Sequence, residues 1–289
     1  MLLDSPQSSS WAFLLRTVCL CVVLVISGPA GGASPSEVIV IAEEYAFNAP
    51  DRIAGGWKTI RLKNQGHEIH HAQFLKLSHG KSVKDFDEAL AADSTQLPPW
   101  VMRYGGVNSV MPGAEATVII DLDPGDYVLI CGIPNARGRP HAANGMTRAL
   151  NVTERDAPGT VPSATLALTM KEFGYSLDQP LAVGNQMILV RNDGKEAHEV
   201  LLLALEPGAS VLDYLEFYRP GIPRNPAGRT IGGVTGLTPG RQAFLPLNVE
   251  PGRFGILCFL ADPLRRRPHF MDGMWMDLDV PPAKPPVMP

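Results

Sequence analysis

The feature that most restricts this chain is a repeat. Asn64 recurs as Asn192, His70 as His198, Ser82 as Ser210 and Asp85 as Asp213, each 128 residues later. Gly105-Gly106-Val107 recurs as Gly232-Gly233-Val234, Pro124-Gly125 as Pro251-Gly252 and Cys131 as Cys258, each 127 residues later. His141 and Met146 return as His269 and Met274, again at 128. An offset held this nearly constant marks a tandem duplication, so whatever one half folds into, the other must also satisfy. Each unit is roughly 115–120 residues, a common size for a β-sandwich. The 28 glycines and 27 prolines are spread along the 289 residues, which favours short strands and turns over long helices.

Within the first unit, Glu37–Ala42, Thr59–Lys63, Ala72–Leu77, Ala116–Leu122, Tyr127–Cys131 and Arg148–Val152 read as strands. Ser82–Ala92 reads as a short helix, with Ser82 as N-cap and Asp85 three residues on. The second unit repeats the plan, with its helix at Val211–Tyr218. The fold class expected is therefore all-β: two consecutive Greek-key sandwich domains, each with a short inserted helix. Residues 34–153 form the first domain and 164–281 the second. A linker lies at 154–163, and 282–289 is a Pro-rich tail. Hydrophobic residues at 45% supply the cores. A net charge of −4, with no basic block interleaved with aromatics, speaks against nucleic acid as a partner.

Arg16, the apolar run Thr17–Ile26 and the small residues from Ser27 to Ala33 have the order of an export signal over residues 1–33. The run is short for a membrane span, which takes about 20 apolar residues, although an uncleaved anchor stays open. The expectation is a periplasmic or extracellular protein. Of the four cysteines, Cys19 and Cys21 fall in that signal, leaving Cys131 and Cys258. An oxidising compartment favours paired cysteines, yet these two hold equivalent places in two repeats. A metal–thiolate bond would protect them instead.

Each repeat carries what such a bond needs. His70 precedes Cys131 by about 60 residues, and His141 and Met146 follow it; His198, Cys258, His269 and Met274 repeat the set. Two imidazoles and a thiolate with a weak axial thioether are the ligand set of blue copper, which serves electron transfer and leaves no position open for substrate. Met271 offers a different axial thioether, but only two residues beyond His269, so Met274 is favoured.

With Asn64…His70, Cys131…Pro-His141-x4-Met146 and their repeats, the chain resembles the cupredoxins, the blue-copper proteins. The resemblance implies a Greek-key sandwich with the site at one end and one copper per domain, up to two per chain. It also implies a redox partner protein. Oligomeric state stays open. Two departures stand out: Cys–His spacers of nine and ten residues, and His71 and Glu199 after the first His, where the family often has Asn. The second departure leaves the usual tie beside the thiolate without its residue.

Electron transfer is the function expected. The alternatives are copper storage, delivery or sensing, and, less favoured, a two-domain copper oxidase or nitrite reductase. Those enzymes place a His directly beside the Cys; here the neighbours are Ile130 and Gly132, then Leu257 and Phe259, and no His-x-His pair occurs. Glu68 and Glu196 on the ligand loops could brace the loop or act as a base; His67, His71 and His79 are histidines outside the ligand set.

Overall fold

A computed structural model describes residues 34–282, except 94–95, 156–159, 217–226 and 263. The export-signal segment, much of the linker, the end of the second helix and nearly all of the Pro-rich tail lie outside the described residues. The described residues cohere as one compact unit.

The first repeat contributes β1 (Ser36–Glu43), β2 (Ala46–Asn48), β3 (Arg52–Asn64), β4 (His70–Leu77), α1 (Val83–Ala92), β5 (Val101–Val110), β6 (Glu115–Leu122), β7 (Gly125–Ile130) and β8 (Thr147–Arg155). The second contributes β9 (Leu166–Lys171), β10 (Gly174–Leu177), β11 (Gly184–Asn192), β12 (His198–Leu205), α2 (Val211–Glu216), β13 (Gly228–Leu237), β14 (Gln242–Val249), β15 (Gly252–Leu257) and β16 (Trp275–Val280). Strand for strand, the second repeats the first. One layer of the first repeat runs β2-β1-β3-β6 and the other β8-β7-β4-β5; β10-β9-β11-β14 and β16-β15-β12-β13 correspond. The repeats then join edge to edge in both layers, β5 against β13 and β6 against β14, both antiparallel.

Alternation explains how these strands aim their side chains. Along β3, Ile60, Leu62 and Asn64 are buried at every second position while Arg61 and Lys63 are half-buried. The apolar row thus carries Asn64 inside at the strand's end, where the ligand loop begins. On β4, His70, Ala72 and Phe74 share the face that meets the sandwich core. Leu75 and Leu77 instead pack on α1 through Phe86 and Leu90. Ser82 caps α1 with a reciprocal capping box to Asp85, as its sequence predicts. In the second repeat Val211 and Tyr214 of α2 cover Leu201, Leu203 and Leu205.

Two strands of the first repeat, β2 and β5, escape the sequence reading, β5 because two glycines interrupt its pattern. The structure gives their reason. Gly106 has φ 137°, and a Cβ there would sit 1.9 Å from the Ala72 carbonyl oxygen; at Gly233 (φ 117°) the Val200 oxygen would be 2.0 Å away. The β4–β5 and β12–β13 registers shift at these points, so the glycines admit a bulge that no side chain allows.

The inter-repeat seam is polar as well as apolar. The Arg241 guanidinium lies 3.3 Å over the Tyr104 ring and donates to Asp121 O at 2.6 Å and to Asp123 at 3.4 Å. Arg155 bridges the same two aspartates at 2.7 and 2.5 Å. Gln73 Nε2, on the outer face of β4, donates across the seam to Gly236 O at 3.1 Å.

Candidate metal centres

The sequence-predicted residues converge at one end of each repeat. His70 starts β4, Cys131 directly follows β7, and His141 opens a single 3₁₀ turn, His141–Asn144, ended by Gly145 at φ 101°. His70 Nδ1 and His141 Nδ1 are 3.1 Å apart, and Cys131 Sγ lies 3.9 and 3.4 Å from them. In the second repeat His198 Nδ1 and His269 Nδ1 are again 3.1 Å apart, with Cys258 Sγ 3.5 Å from His269. All six side chains are buried, and both thiols are free. Backbone bonds draw in the methionines: Cys131 N donates to Met146 O at 3.2 Å and Cys258 N to Met274 O at 3.1 Å. Both methionines are wholly buried, in the cluster that also holds the two cysteines, whereas Met271 is 59% exposed. Among the described residues, His67, His71 and His79 form no third group of this kind.

This donor set fits a soft metal ion. Three buried donors aim at one another, and without a shared cation at most one proton can lie between the facing Nδ1 atoms. Burial holds all four imidazoles below their ordinary value, so they stand neutral and ready to donate a lone pair. Burial also pushes the Cys131 thiol up to about 12, and Cys258 likewise upward, so a thiolate here needs a cation beside it.

The ligand loops are braced alike. Asn64 Nδ2 donates to Glu68 O and Val110 O, both at 2.8 Å, while its Oδ1 accepts from Gly66 N at 2.9 Å. Asn192 repeats all three bonds with Glu196 O, Leu237 O and Gly194 N. Glu44, at the end of β1 and beyond, accepts from the backbone of His67 and Glu68 and lies 3.6 Å from His70 Nε2. Glu172 does the same for Lys195, Glu196 and His198. Glu68 and Glu196, whose role the sequence left open, stand 2.9 and 3.2 Å from Nε2 of His141 and His269, though off the ring N–H axis, so neither forms a well-aligned bond. Every ligand imidazole thus has a carboxylate near its far nitrogen, without an aligned hydrogen bond to it, so the carboxylate acts on the ring through its charge. Glu44 and Glu172 were missed by sequence reasoning, yet they obey the 128-residue offset and a search for repeated acidic positions would find them.

Both departures from the family pattern find an explanation. His71 Nε2 accepts from Gly132 N at 2.7 Å, and Glu199 Oε1 accepts from Phe259 N at 3.0 Å. Each residue therefore ties the backbone just after its cysteine, so the tie survives with other side chains. His71 N also points at Cys131 Sγ, 3.4 Å away. The long Cys–His spacers are knotted internally. Asn135 Oδ1 accepts from Arg137 and Arg139 N at 3.0 and 3.1 Å, and Pro134 bridges Pro140. Asp262 Oδ1 accepts from Leu264 and Arg265 N at 2.7 and 2.8 Å, and Ala261 bridges Pro268. The extra residues form a closed turn outside the site and leave the last stretch short: His141 N bonds Ile133 O and Ala142 N bonds Cys131 O.

Two four-stranded layers per repeat, with paired His and Cys at one end, decide the architecture. The fold is cupredoxin-like. No family model and no curated protein matches the chain. Among solved structures, auracyanin from Roseiflexus castenholzii is 22% identical over 42% of this chain and 99% of its own (TM-score 0.27). A Cu-containing nitrite reductase from Thermus scotoductus is 12% identical over 89% of this chain and 64% of its own (TM-score 0.26). A multicopper oxidase is 15% identical over 84% and 87% respectively (TM-score 0.24). Such values provide no residue-level correspondence, and the cupredoxin-like chain is read from its own strand order and donor geometry.

Proposed function

We propose that this protein binds copper at His70, Cys131, His141 and Met146 and at His198, Cys258, His269 and Met274, and that it carries electrons. The observation that carries the reading is the buried convergence of two Nδ1 atoms and a thiol sulfur in both repeats. A soft thiolate, two imidazoles and a nearby thioether suit copper in both of its common oxidation states, whereas zinc would take a fourth hard or thiolate ligand more readily than a thioether. When bound, copper supplies a reversible one-electron couple. The chain's part is to hold the donors in place: Asn64 and Asn192 lock the loops, carboxylates stand near the far ring nitrogens, and burial keeps water from the donors.

Storage or delivery fits less well, because release would require opening a core end in which every donor is buried. An enzyme reading would need electrons led from the thiolate to a second centre, and the residues after the cysteines are Gly132 and Phe259 rather than histidines. We further read residues 1–33 as an export signal, placing the protein in the periplasm or outside the cell with a protein redox partner.

Loading with Cu(II) tests the reading. The expected result is an intense visible copper–thiolate absorption that saturates at two coppers per chain. Fully loaded protein without that band would reject it, and turnover of nitrite or phenols above background would restore the enzyme.

A further inference from the structure

The tie behind the second thiolate is completed from the first repeat. Glu199 gives one carboxylate oxygen, Oε1, to Phe259 N on the backbone just past Cys258. Its other oxygen, Oε2, accepts from Asn108 Nδ2 of β5 at 3.3 Å. Asn108 reaches it because β5 and β13 pair across the seam, with Val107 opposite Val234, and both Asn108 and Glu199 are buried. The amide has no freedom to turn. Nδ2 also donates to Val200 O at 3.2 Å, while Oδ1 accepts from Ser109 N at 2.9 Å and Ser109 Oγ at 3.2 Å. Turned over, it would set its oxygen against a carbonyl and a carboxylate, so the network fixes which atom faces Glu199. Glu199 is held through its backbone as well, since its carbonyl accepts from the Tyr175 hydroxyl at 2.6 Å. With its backbone and Oε2 both anchored, the carboxylate keeps Oε1 on Phe259 N.

The first thiolate loop is tied from within its own repeat. The His71 ring takes Gly132 N directly at 2.7 Å. The equivalent of Asn108 by the repeat offset is Thr235, whose buried hydroxyl has no hydrogen-bond partner among the described residues. Side-chain stiffness accounts for the difference. An imidazole turns about two bonds and a Glu carboxylate about three, the last with a broad torsional well, so the looser acceptor gains more from a second anchor. A buried amide that meets its own partners adds that anchor without leaving a polar atom unpaired.

We propose that Asn108 of the first repeat is a positioning residue for the Cys258 centre of the second, acting through Glu199 on the backbone that follows the thiolate. That backbone decides where the sulfur stands and which amides face it, and hydrogen bonding about a metal-bound sulfur tunes the potential of the metal. The second centre is thus braced by both halves of the molecule. As a statement about a metal centre the inference rests on the copper reading above; as a statement about the loop it holds for the metal-free chain.

The experiment uses the full-length chain in two forms. In the metal-free protein, hydrogen exchange by NMR follows the Phe259 and Gly132 amides. In copper-loaded Cys131→Ser, which keeps only the second centre, a redox titration follows its midpoint. Asn108→Leu removes both N–H donors, whereas Thr230→Val removes another seam bond, Thr230 Oγ1 to Ser109 O, and leaves Glu199 alone. Asn108→Leu should speed exchange at Phe259 by about tenfold relative to Gly132, the worth of one net hydrogen bond. It should also move the midpoint by about fivefold in equilibrium constant, roughly 40 mV for one electron. Thr230→Val should do neither. Equal quickening of Phe259 and Gly132 overturns the proposal, as does a Thr230→Val effect as large as that of Asn108→Leu. So does a midpoint shift from Asn108→Leu that is undiminished in a chain already carrying Glu199→Ala. In the wild-type chain the Asn108 side-chain N–H pair should itself exchange slowly; exchange as fast as in an exposed amide overturns the proposal whether or not any variant folds. A loaded chain with no copper–thiolate band fails the functional reading instead, and the exchange comparison still decides the tie.

Discussion

The two candidate metal centres are near copies, and their differences are confined to what stands behind the buried His and Cys donors. Both hold facing Nδ1 atoms 3.1 Å apart, both brace the loop with an Asn, and both set carboxylates at the far ring nitrogens. Behind the first thiolate, however, stands a neutral ring. Burial drives His71 down to about 3, with the Arg103 charge acting the same way. Behind the second stands Glu199, an acid in the same position. Over the ligand rings, Tyr45 edges His141 at 5.2 Å where Phe173 tilts over His269 at 5.0 Å. Both halves keep the same donors because three of them must meet within a few ångströms. The position behind them was free to change, since any acceptor of the next backbone N–H completes the tie.

That comparison can be broken most severely at the shared bulge. Gly106→Ala and Gly233→Ala each force a Cβ onto a carbonyl oxygen at about 2 Å, and both should cost several kcal/mol in chemical denaturation. Equal losses would show that the two halves are under the same constraint; a tolerated substitution in one would show where its sheet can relax.

Removing one donor is next. Cys131→Ser and Cys258→Ser should each abolish one of the two copper–thiolate absorptions and leave the other, read by stoichiometric Cu(II) titration. Loss of both from a single substitution would mean that neither site forms alone.

The loop brace is smaller. Asn64→Ala and Asn192→Ala strip three hydrogen bonds and leave buried carbonyls unpaired, an expected cost of about 2–3 kcal/mol by urea unfolding of the metal-free chain. A markedly smaller loss at Asn192 would separate the two loops energetically.

The difference behind the thiolates should appear as potential. Burial pushes the Glu199 acid up to about 7, so at about pH 8–9 it is a carboxylate, which favours the more oxidised form of a centre beside it, and there the Cys258 centre should lie below the Cys131 centre. Glu199→Gln should raise it by about 1 kcal/mol, roughly 40 mV for one electron. No shift in protein-film voltammetry would mean that Arg103 already neutralises the carboxylate.

The smallest effect belongs to the seam. Desolvation pushes the Asp123 carboxyl up, but hydrogen bonds from Tyr104 and Arg155, with the Arg241 and Arg155 charges, outweigh it and hold the group below its ordinary 3.8. Its folded value is the lower one, so its contribution is complete above about pH 4 and is lost as pH falls through the folded value. Asp123→Asn should therefore lower stability at pH 7 slightly and leave it unchanged at the acid end, measured by urea midpoints across pH. A midpoint shift that is the same at every pH would assign the residue a packing role only.

Much of this was written in the chain in plain form. The offsets of 127 and 128 matched the strand order of the two halves, alternation along β3 carried the sandwich, and the spacing of Cys131, His141 and Met146 pointed to a candidate soft-donor site, because each depends on residues close in sequence or recurring at a fixed interval. The glycines of β5 and β13 hid a strand, since their use is to let a distant carbonyl approach. Glu44 and Glu172 hid for the same reason: they reach the ligand loop from another strand. Above all, nothing local announces that His71 and Glu199 each tie the backbone after a cysteine with a different side chain, or that Asn108 reaches Glu199 from the other half. The last of these belongs to the seam, where residues 91 and 92 apart in the chain exchange hydrogen bonds. Which donors the protein owns is settled by its sequence; what those donors feel from one another is decided only when the two sheets close edge to edge.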